Sequence, residues 1–526
     1  MKKVIWFILV CAWAAMPASS YAQATLRKLP PSINQPSINV SVPFISLDGS
    51  TLLFLSDYAE DEKLVINYAV KDGAVNWKEP VTLPKTINNN LNFLKGYTLS
   101  PDGKTIYLTN MKTGGIGGFD IYKSEQKGAF WSELVNLGLP ISSKLNDGSP
   151  TFSADGTTMY FMRCEKMTFT MAENCKLFTT KRKPNGQWEE PVEMPAFINT
   201  GNSQTPRILG DGETLIFSSN KMSNNKGGMD LYMTRWNGSA WSNPLPLDFI
   251  NTSGDDQFVT ATNVGRYLMK EAPGVHKSEI VEILFPADIR PKVMMKIEGT
   301  VNTPAYVSVF NKKDQTRVFN GRPNANGQFT VFLKEGGIYD LSIEPEQDSF
   351  TFFSKEYNLT TDKFPQAERV TATLKSVAAG DEIELGGISF NPNSFELDPS
   401  SAQDLRRVAR MVRANPSSQF AIDVSLFGYL QDSVKSNPDL SEMVSDTVKI
   451  PVSYRDVTSV DSAQTLVRDS LVIRYRYHND RTPYQALEIA NYLAAQGVPA
   501  RNISLTHHAV AAVPENKKLV VKLSVK

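Results

Sequence analysis

"SPDGKTIYLTN", residues 100–110, is the stretch on which the fold turns. Ser100-Pro101-Asp102-Gly103 is turn chemistry: proline presets its own φ, and glycine supplies the positive φ that a two-residue hairpin requires. Thr105 to Thr109 then alternates as a strand does. The chain repeats the phrase as "SLDGSTLLFLS" (46–56), "SADGTTMYFMR" (153–163) and "LGDGETLIFSS" (209–219), with a degraded form at Asn263-Val264-Gly265. The spacing is 53 to 56 residues.

Other features recur in step. A tryptophan follows each of the first four turns, at Trp77, Trp131, Trp188 and Trp241. An aromatic strand lies between turn and tryptophan: "LVINYAV", "FDIYKSE", "KLFTTKR" and "MDLYMTR". After each tryptophan comes an edge such as "KEPVTLPKTIN" or "EEPVEMPAFIN". About four short strands in a period of this length describe a propeller blade.

The ends of the repeat close a ring. Leu29-Pro30-Pro31-Ser32-Ile33-Asn34 matches Leu83-Pro84-Lys85-Thr86-Ile87-Asn88, so a last strand arrives first. The fifth unit, up to about residue 286, has three strands and no tryptophan edge, and the N-terminal segment fills that gap, removing exposed edges. The reading is a five-bladed β-propeller over residues 25–286. An open β-sandwich would not explain the displaced strand.

Connections between second and third strands are expected to be long, as in "NMKTGGIGG", "RCEKMTFTMAENC" and "SNKMSNNKGG". They gather on one face, the better place for recognition, since function sits on loops held by a rigid frame. The alternative is loops that are merely solvated.

The phrases "SPDG", "IYL" and "FDIY", with a tryptophan in that order, resemble TolB-like propeller repeats, and that resemblance implies a binding scaffold. Propellers also house enzymes, so fold alone does not decide function.

The bulk numbers bound the rest. The chain has 526 residues, with 55 Lys plus Arg against 55 Asp plus Glu, so no net field recruits nucleic acid or anionic lipid. Residues 1–22 read as a secretory signal peptide: Lys2 and Lys3, the apolar run Val4 to Ala15, then Ser20 and Ala22 at the cleavage positions. The run is too short to span a bilayer. No transmembrane segment is expected after cleavage, and the mature chain is expected in the periplasm, associated with the outer membrane at most. Two cysteines then remain, Cys164 and Cys175. A disulfide is the default in an exported protein, with two buried free thiols as the alternative.

Residues 287–380 read as a small antiparallel β-sandwich, with turns at Asn311-Lys312, Asn326-Gly327 and Gly336-Gly337. "NGQFTVFL" and "GIYDLSI" resemble the regulatory domain found beside carboxypeptidases. This region reads as a spacer without a site. From 383 to 526 strands and helices alternate. Asp398-Pro399 opens one helix with Leu405, Val408, Ala409 and Val412 as its buried stripe. Thr482-Pro483 opens another that buries Ala486, Ile489, Ala490 and Leu493 and stops at Gly497.

"ISFNPNSFEL", "ALEIANYLAAQGVPARNISL" and "ENKKLVVKLSV" resemble the OmpA-like C-terminal domain, with an insertion at about 433–480 that ordinary members lack. The resemblance implies an α/β layer that binds the diaminopimelate stem of peptidoglycan. An aspartate would grip the ammonium and an arginine the carboxylate. Gln485 stands at the arginine position, so Asp432 and Arg481 are the substitute pair, Arg481 lying one helical turn before Gln485. In the insertion "DSV", "DTV", "DSA" and "DSL" resemble the O-glycosylation triplet of Bacteroidetes.

The four histidines, His276, His478, His507 and His508, form no metal motif, and His507 and His508 point to opposite faces of one strand. No HExxH, G-x-S-x-G or P-loop occurs. No metal and no cofactor is expected.

The three modules in this order resemble Bacteroidetes envelope proteins, among them PorE-type components of type IX secretion, which add a helical-repeat domain and a lipid anchor. The expectation is a non-catalytic scaffold whose propeller holds a protein partner and whose C-terminal domain contacts peptidoglycan. The alternatives are an interaction module that has lost peptidoglycan binding and a carbohydrate-processing hydrolase on the propeller.

Overall fold

The computed structural model describes residues 26–526 apart from 59–62, 74–75, 89–95, 129, 223, 263–265, 275–276, 362–363, 366, 392–393, 429–441, 456–464, 479 and 512–518. The signal peptide expected over 1–22 lies outside the described residues. The chain forms two compact units, Met1–Met294 and Met295–Lys526. Among the described residues no helix is long and apolar enough to cross a membrane.

The first unit is the five-bladed propeller. Its sheets begin with the inner strands Val40–Ile45, Tyr97–Leu99, Asn146–Phe152, Gln204–Ile208 and Thr260–Ala261. In the last sheet Leu26–Lys28 pairs antiparallel with Ser278–Leu284, Leu26 facing Ile283. Ring closure by the displaced N-terminal strand is therefore observed. An asparagine completes the match. Asn34 receives the Ile280 N–H at 2.9 Å and donates to its carbonyl at 2.8 Å. Asn88 does the same to Ile66, Asn199 to Leu177 and Asn251 to Leu231. Each side-chain amide stands in for a peptide of the missing neighbour strand.

The repeated turn is longer than the two-residue form expected. Ser100 N–H bonds to the Thr105 carbonyl at 2.8 Å, leaving four residues in the loop, and Gly103 N–H bonds back to Ser100 at 2.8 Å. The glycine takes φ of 71°, and Asp102 accepts from the Lys104 amide. The glycine thus closes a four-residue turn, and the aspartate fixes it by an Asx bond.

The cysteine-bearing connection also differs. Instead of a long loop, strands Thr158–Met167 and Ala172–Lys181 run through it, and Cys164 faces Cys175 in register. The disulfide forms between them. The ladder continues past it through Lys166 with Glu173 and Met167 with Ala172, so only residues 168–171 turn.

The second unit contains a sandwich and an α/β layer. One sheet of the sandwich orders Gln328–Lys334, Met294–Val301 and Ala367–Ala372, and the other orders Thr316–Gly321, Ala305–Asn311, Ile338–Pro345 and Phe353–Asn358. Met294–Val301 and Ala367–Ala372 run parallel, which corrects the all-antiparallel expectation. The two are separated by the rest of the domain, long enough for the crossover that parallel pairing needs.

In the α/β layer the sheet orders Glu382–Glu384, Leu519–Val525, Phe420–Phe427 and Ile503–Val510 beside helices Ala402–Ala414 and Thr482–Ala495. The expected stripe of Leu405, Val408, Ala409 and Val412 is buried, as are Ala486, Ile489 and Leu493. The first strand is Glu382–Glu384 and not "ISFNPNSFEL", where among the described residues only Phe390 and Leu397 bridge. Asp398 caps a 3-10 turn, Pro399–Ser401, that leads into the helix. Inside the expected insertion, Glu442–Arg455 pairs antiparallel with Thr465–His478 as a sheet of two.

The spacer is not merely a spacer. Arg407, on the helix Ala402–Ala414, reaches into the sandwich. Its Nη1 pairs with Asp340 at 3.2 Å and with Asp404, its Nε pairs with Glu344 at 2.8 Å, and its Nη2 donates to the Ser342 hydroxyl at 2.9 Å. Arg407, Asp340 and Asp404 are all buried, so sandwich and α/β layer share a charged seam.

Candidate functional site: the propeller axis

The inner strands of the propeller break their own regularity at one place each. Val42, Ser149, Thr205 and Phe258 take φ of 48°, 49°, 46° and 52°, and Gly96 takes 94°. Ladder register shifts there, between Ser41 and Phe44, Gly148 and Thr151, and Gln204 and Arg207. A left-handed Val, Ser, Thr or Phe is unfavourable by roughly 1–3 kcal/mol, and such strain clusters at functional sites. Here it recurs once per blade around the axis.

Two residues after each of these positive-φ positions comes a side chain lining an axial cavity of about 50 Å³: Phe44, Thr98, Thr151, Arg207 and Thr260. Three hydroxyls, one phenyl ring and one guanidinium thus form a ring. Gly96, Ser149, Thr205 and Phe258 line a second cavity of about 10 Å³, and Arg207 lines both.

Arg207 is 9% exposed. Its Nε donates to the Val259 carbonyl at 3.2 Å, while its Nη atoms reach Thr98 Oγ1 and the Tyr97 carbonyl only at 3.5 Å. The guanidinium lies 4.6 Å from the Phe44 ring centroid. Burial pulls its pKa down to about 10, partly offset by the Tyr97 hydroxyl. Burial in turn pushes the Tyr97 phenol well up, and that hydroxyl donates to the Val42 carbonyl at 2.5 Å. Among the described residues no carboxylate pairs with Arg207, and neither cavity lining contains Asp or Glu.

A second feature lies on the rim. In an antiparallel blade the connections from second to third strand, and from blade to blade, leave at one end. Met111, Ile116, Leu145, Phe169, Met171 and Phe197 all sit on such connections and are exposed. The disulfide-tied hairpin carries Phe169 and Met171 at its tip, with the Phe169 ring 6.2 Å from that of Phe119.

Of the residues singled out from sequence, Cys164 and Cys175 are joined. Arg481 is buried, immediately before the helix Thr482–Ala495, and its carbonyl accepts the Gln485 amide at 2.9 Å. Gln485 is buried too, donating to the Ser394 carbonyl at 3.2 Å. Asp432 lies outside the described residues. His508 faces Asp423 at 3.0 Å while His507 turns to Thr482. Arg207 was missed, although the repeat holds the signal. It stands four residues before Asp211, where the other blades carry Phe44, Thr98, Thr151 and Thr260.

No protein-family profile and no curated protein matches this sequence. Solved structures match its propeller half in fold. A protein described as TolB from Agrobacterium tumefaciens is 14% identical over 56% of this chain and 90% of that one, with a TM-score of 0.29. An endo-arabinase from Bacteroides thetaiotaomicron is 15% identical over 50% and 98%, TM-score 0.34. A Bacillus subtilis arabinanase is 16% identical over 47% and 94%, TM-score 0.31. Several of the similar structures are glycoside hydrolases. That overturns the expectation that this chain is not an enzyme.

Proposed function

We propose that this is a binding protein of the cell envelope, located in the periplasm, whose propeller holds a protein partner on the face bearing its blade-to-blade connections. The observation that carries the reading is the set of exposed apolar side chains on those connections, with Phe169 and Met171 on a hairpin held by a disulfide. Apolar groups gathered on one face of a rigid frame mark interaction surfaces. The C-terminal α/β layer contacts peptidoglycan in this proposal, with Arg481 as the group for a ligand carboxylate. Resemblance to PorE-type components makes type IX secretion its setting.

The test is chemical cross-linking in envelopes of the native organism. The wild-type chain should form one discrete adduct, and Phe169→Asp with Met171→Asp should abolish it. Co-sedimentation with purified sacculi tests the second half, with Arg481→Ala expected to reduce it. An unchanged adduct, or equal sedimentation of both chains, refutes the corresponding half.

A carbohydrate-processing hydrolase is the second reading, favoured by the activities in the names of the arabinanase structures. Such chemistry commonly needs two carboxylates about 5–9.5 Å apart. The axial ring offers hydroxyls and a guanidinium, so the carboxylates would come from elsewhere on the propeller. Release of reducing ends from arabinan by the purified chain decides this reading.

A further inference from the structure

Among the described residues of this propeller, the buried Lys270 has Asp256 as a carboxylate partner, and the partly buried Arg163 has Asp147 at 2.6 Å. Arg207 departs from that pairing, although desolvating an unpaired guanidinium is costly. It carries five N–H donors, of which Nε alone, at 3.2 Å, has a bond shorter than 3.5 Å. The Thr98, Thr151 and Thr260 side chains stand on the same ring, and a hydroxyl can rotate to donate. Phe44 covers one face of the guanidinium and presents no competing acceptor.

We propose that the propeller axis is an oxyanion site, in which Arg207 and the threonine ring take a carboxylate, phosphate or sulfate group. The charge that the protein leaves unbalanced is supplied by the ligand. A guanidinium suits such groups because two parallel N–H donors meet two oxygens. The space is adequate: about 50 Å³ is several times the roughly 10–15 Å³ that one water requires. The three bulges serve the site, since each re-aims its strand so that the residue two positions on (Phe44, Thr151 or Arg207) faces the axis.

The ligand is either a free inorganic anion or an acidic group on a larger molecule such as a uronic acid, and three probes separate these. After the expected signal peptide the tryptophans are Trp77, Trp131, Trp188, Trp236 and Trp241, all in the propeller, so fluorescence-detected thermal unfolding of the chain from Gln23 reports on the propeller. Phosphate, sulfate and galacturonate are each titrated in Tris buffer at an ionic strength held constant with sodium chloride, so that no other oxyanion is present. With at least one probe the wild-type midpoint should rise and saturate, by roughly 2–4 °C. A response to phosphate or sulfate indicates a free anion, and a response to galacturonate alone indicates the acidic sugar.

Arg207→Met should abolish the rise, and Arg207→Lys should retain part of it. If Arg207→Met does not fold, Thr98→Val carries the test, with an expected several-fold weaker dependence on the responding probe. The proposal is overturned if no probe shifts the wild type, if Arg207→Met shifts equally, or if Thr98→Val leaves the dependence unchanged.

Discussion

Two glycines with positive φ show how differently one residue type is used. Gly103 closes the repeated turn at φ of 71°, with nothing within 4 Å of where a Cβ would stand. Gly96 stands just before the inner strand Tyr97–Leu99 at 94°, where a Cβ would lie 2.6 Å from Ser149 Oγ and 3.1 Å from Ser149 Cα. Gly103→Ala should therefore cost only left-handed strain, about 1–2 kcal/mol. Gly96→Ala adds a clash with backbone in the neighbouring blade and should cost about twice that. Fluorescence-detected denaturant unfolding of the two variants checks the ranking, and equal losses would refute the account. Gly103 could be read in the sequence because Asp-Gly is a turn signal. The axial positive-φ positions could not, because Val42, Ser149, Thr205 and Phe258 adopt a backbone against their own preference, imposed by ring geometry. The candidate site was illegible for that reason, although aligning the repeats sets Arg207 in a column with Phe44 and three threonines, a signal that was missed.

The charged seam between the helix Ala402–Ala414 and the strand Ile338–Pro345 governs how two elements respond to pH. Burial, and then the neighbouring Asp404 carboxylate, push Asp340 up to about 6, against the Arg407 charge. Arg407 and Arg410 hold Glu344 below its usual range despite its burial. For Asp340 the folded state binds its proton more tightly than the unfolded state. Its contribution is therefore full below about 4 and is lost as pH rises toward 6. Glu344 acts with the opposite sign at lower pH, so the comparison must isolate Asp340. Between pH 4 and 6.5, Asp340→Asn should lose less stability than the wild type, read by circular dichroism at 222 nm. Parallel pH profiles would remove Asp340 from the seam's titration. Arg407→Met leaves three carboxylates facing one another and should cost about 3–5 kcal/mol at pH 7 in the same signal. The helices themselves were legible from their periodic stripes. The seam was not, because Asp340 and Arg407 are 67 residues apart and nothing local announces the pairing. The first strand of the layer was misplaced for a related reason. "ISFNPNSFEL" has apolar character, but the segment that pairs Leu519–Val525 is the short and more polar Glu382–Glu384.

At the scale of the molecule, the two units carry separate spectroscopic labels. Every tryptophan among the described residues lies in the first, while the long helices Ala402–Ala414 and Thr482–Ala495 lie in the second. Among the described residues the first unit holds only the four-residue helix Lys85–Asn88. Tryptophan emission therefore follows the propeller, and ellipticity at 222 nm is weighted toward the second unit. The Cys164–Cys175 bond joins two strands of one blade, so its effect belongs to the first signal. A closed loop of this length stabilises by roughly 2–3 kcal/mol in the chain-entropy account. Reduction, or Cys164→Ser with Cys175→Ser, should lower the fluorescence-detected stability by about that amount and leave the 222 nm transition in place. The hairpin tip is tied by that same bond, so the double variant should also weaken the proposed partner adduct, whereas the response of the axis to oxyanions should persist because Arg207 lies in another blade. If the 222 nm transition moves in step with the fluorescence, the chain unfolds as one cooperative body, and its two-part organisation does not extend to its energetics.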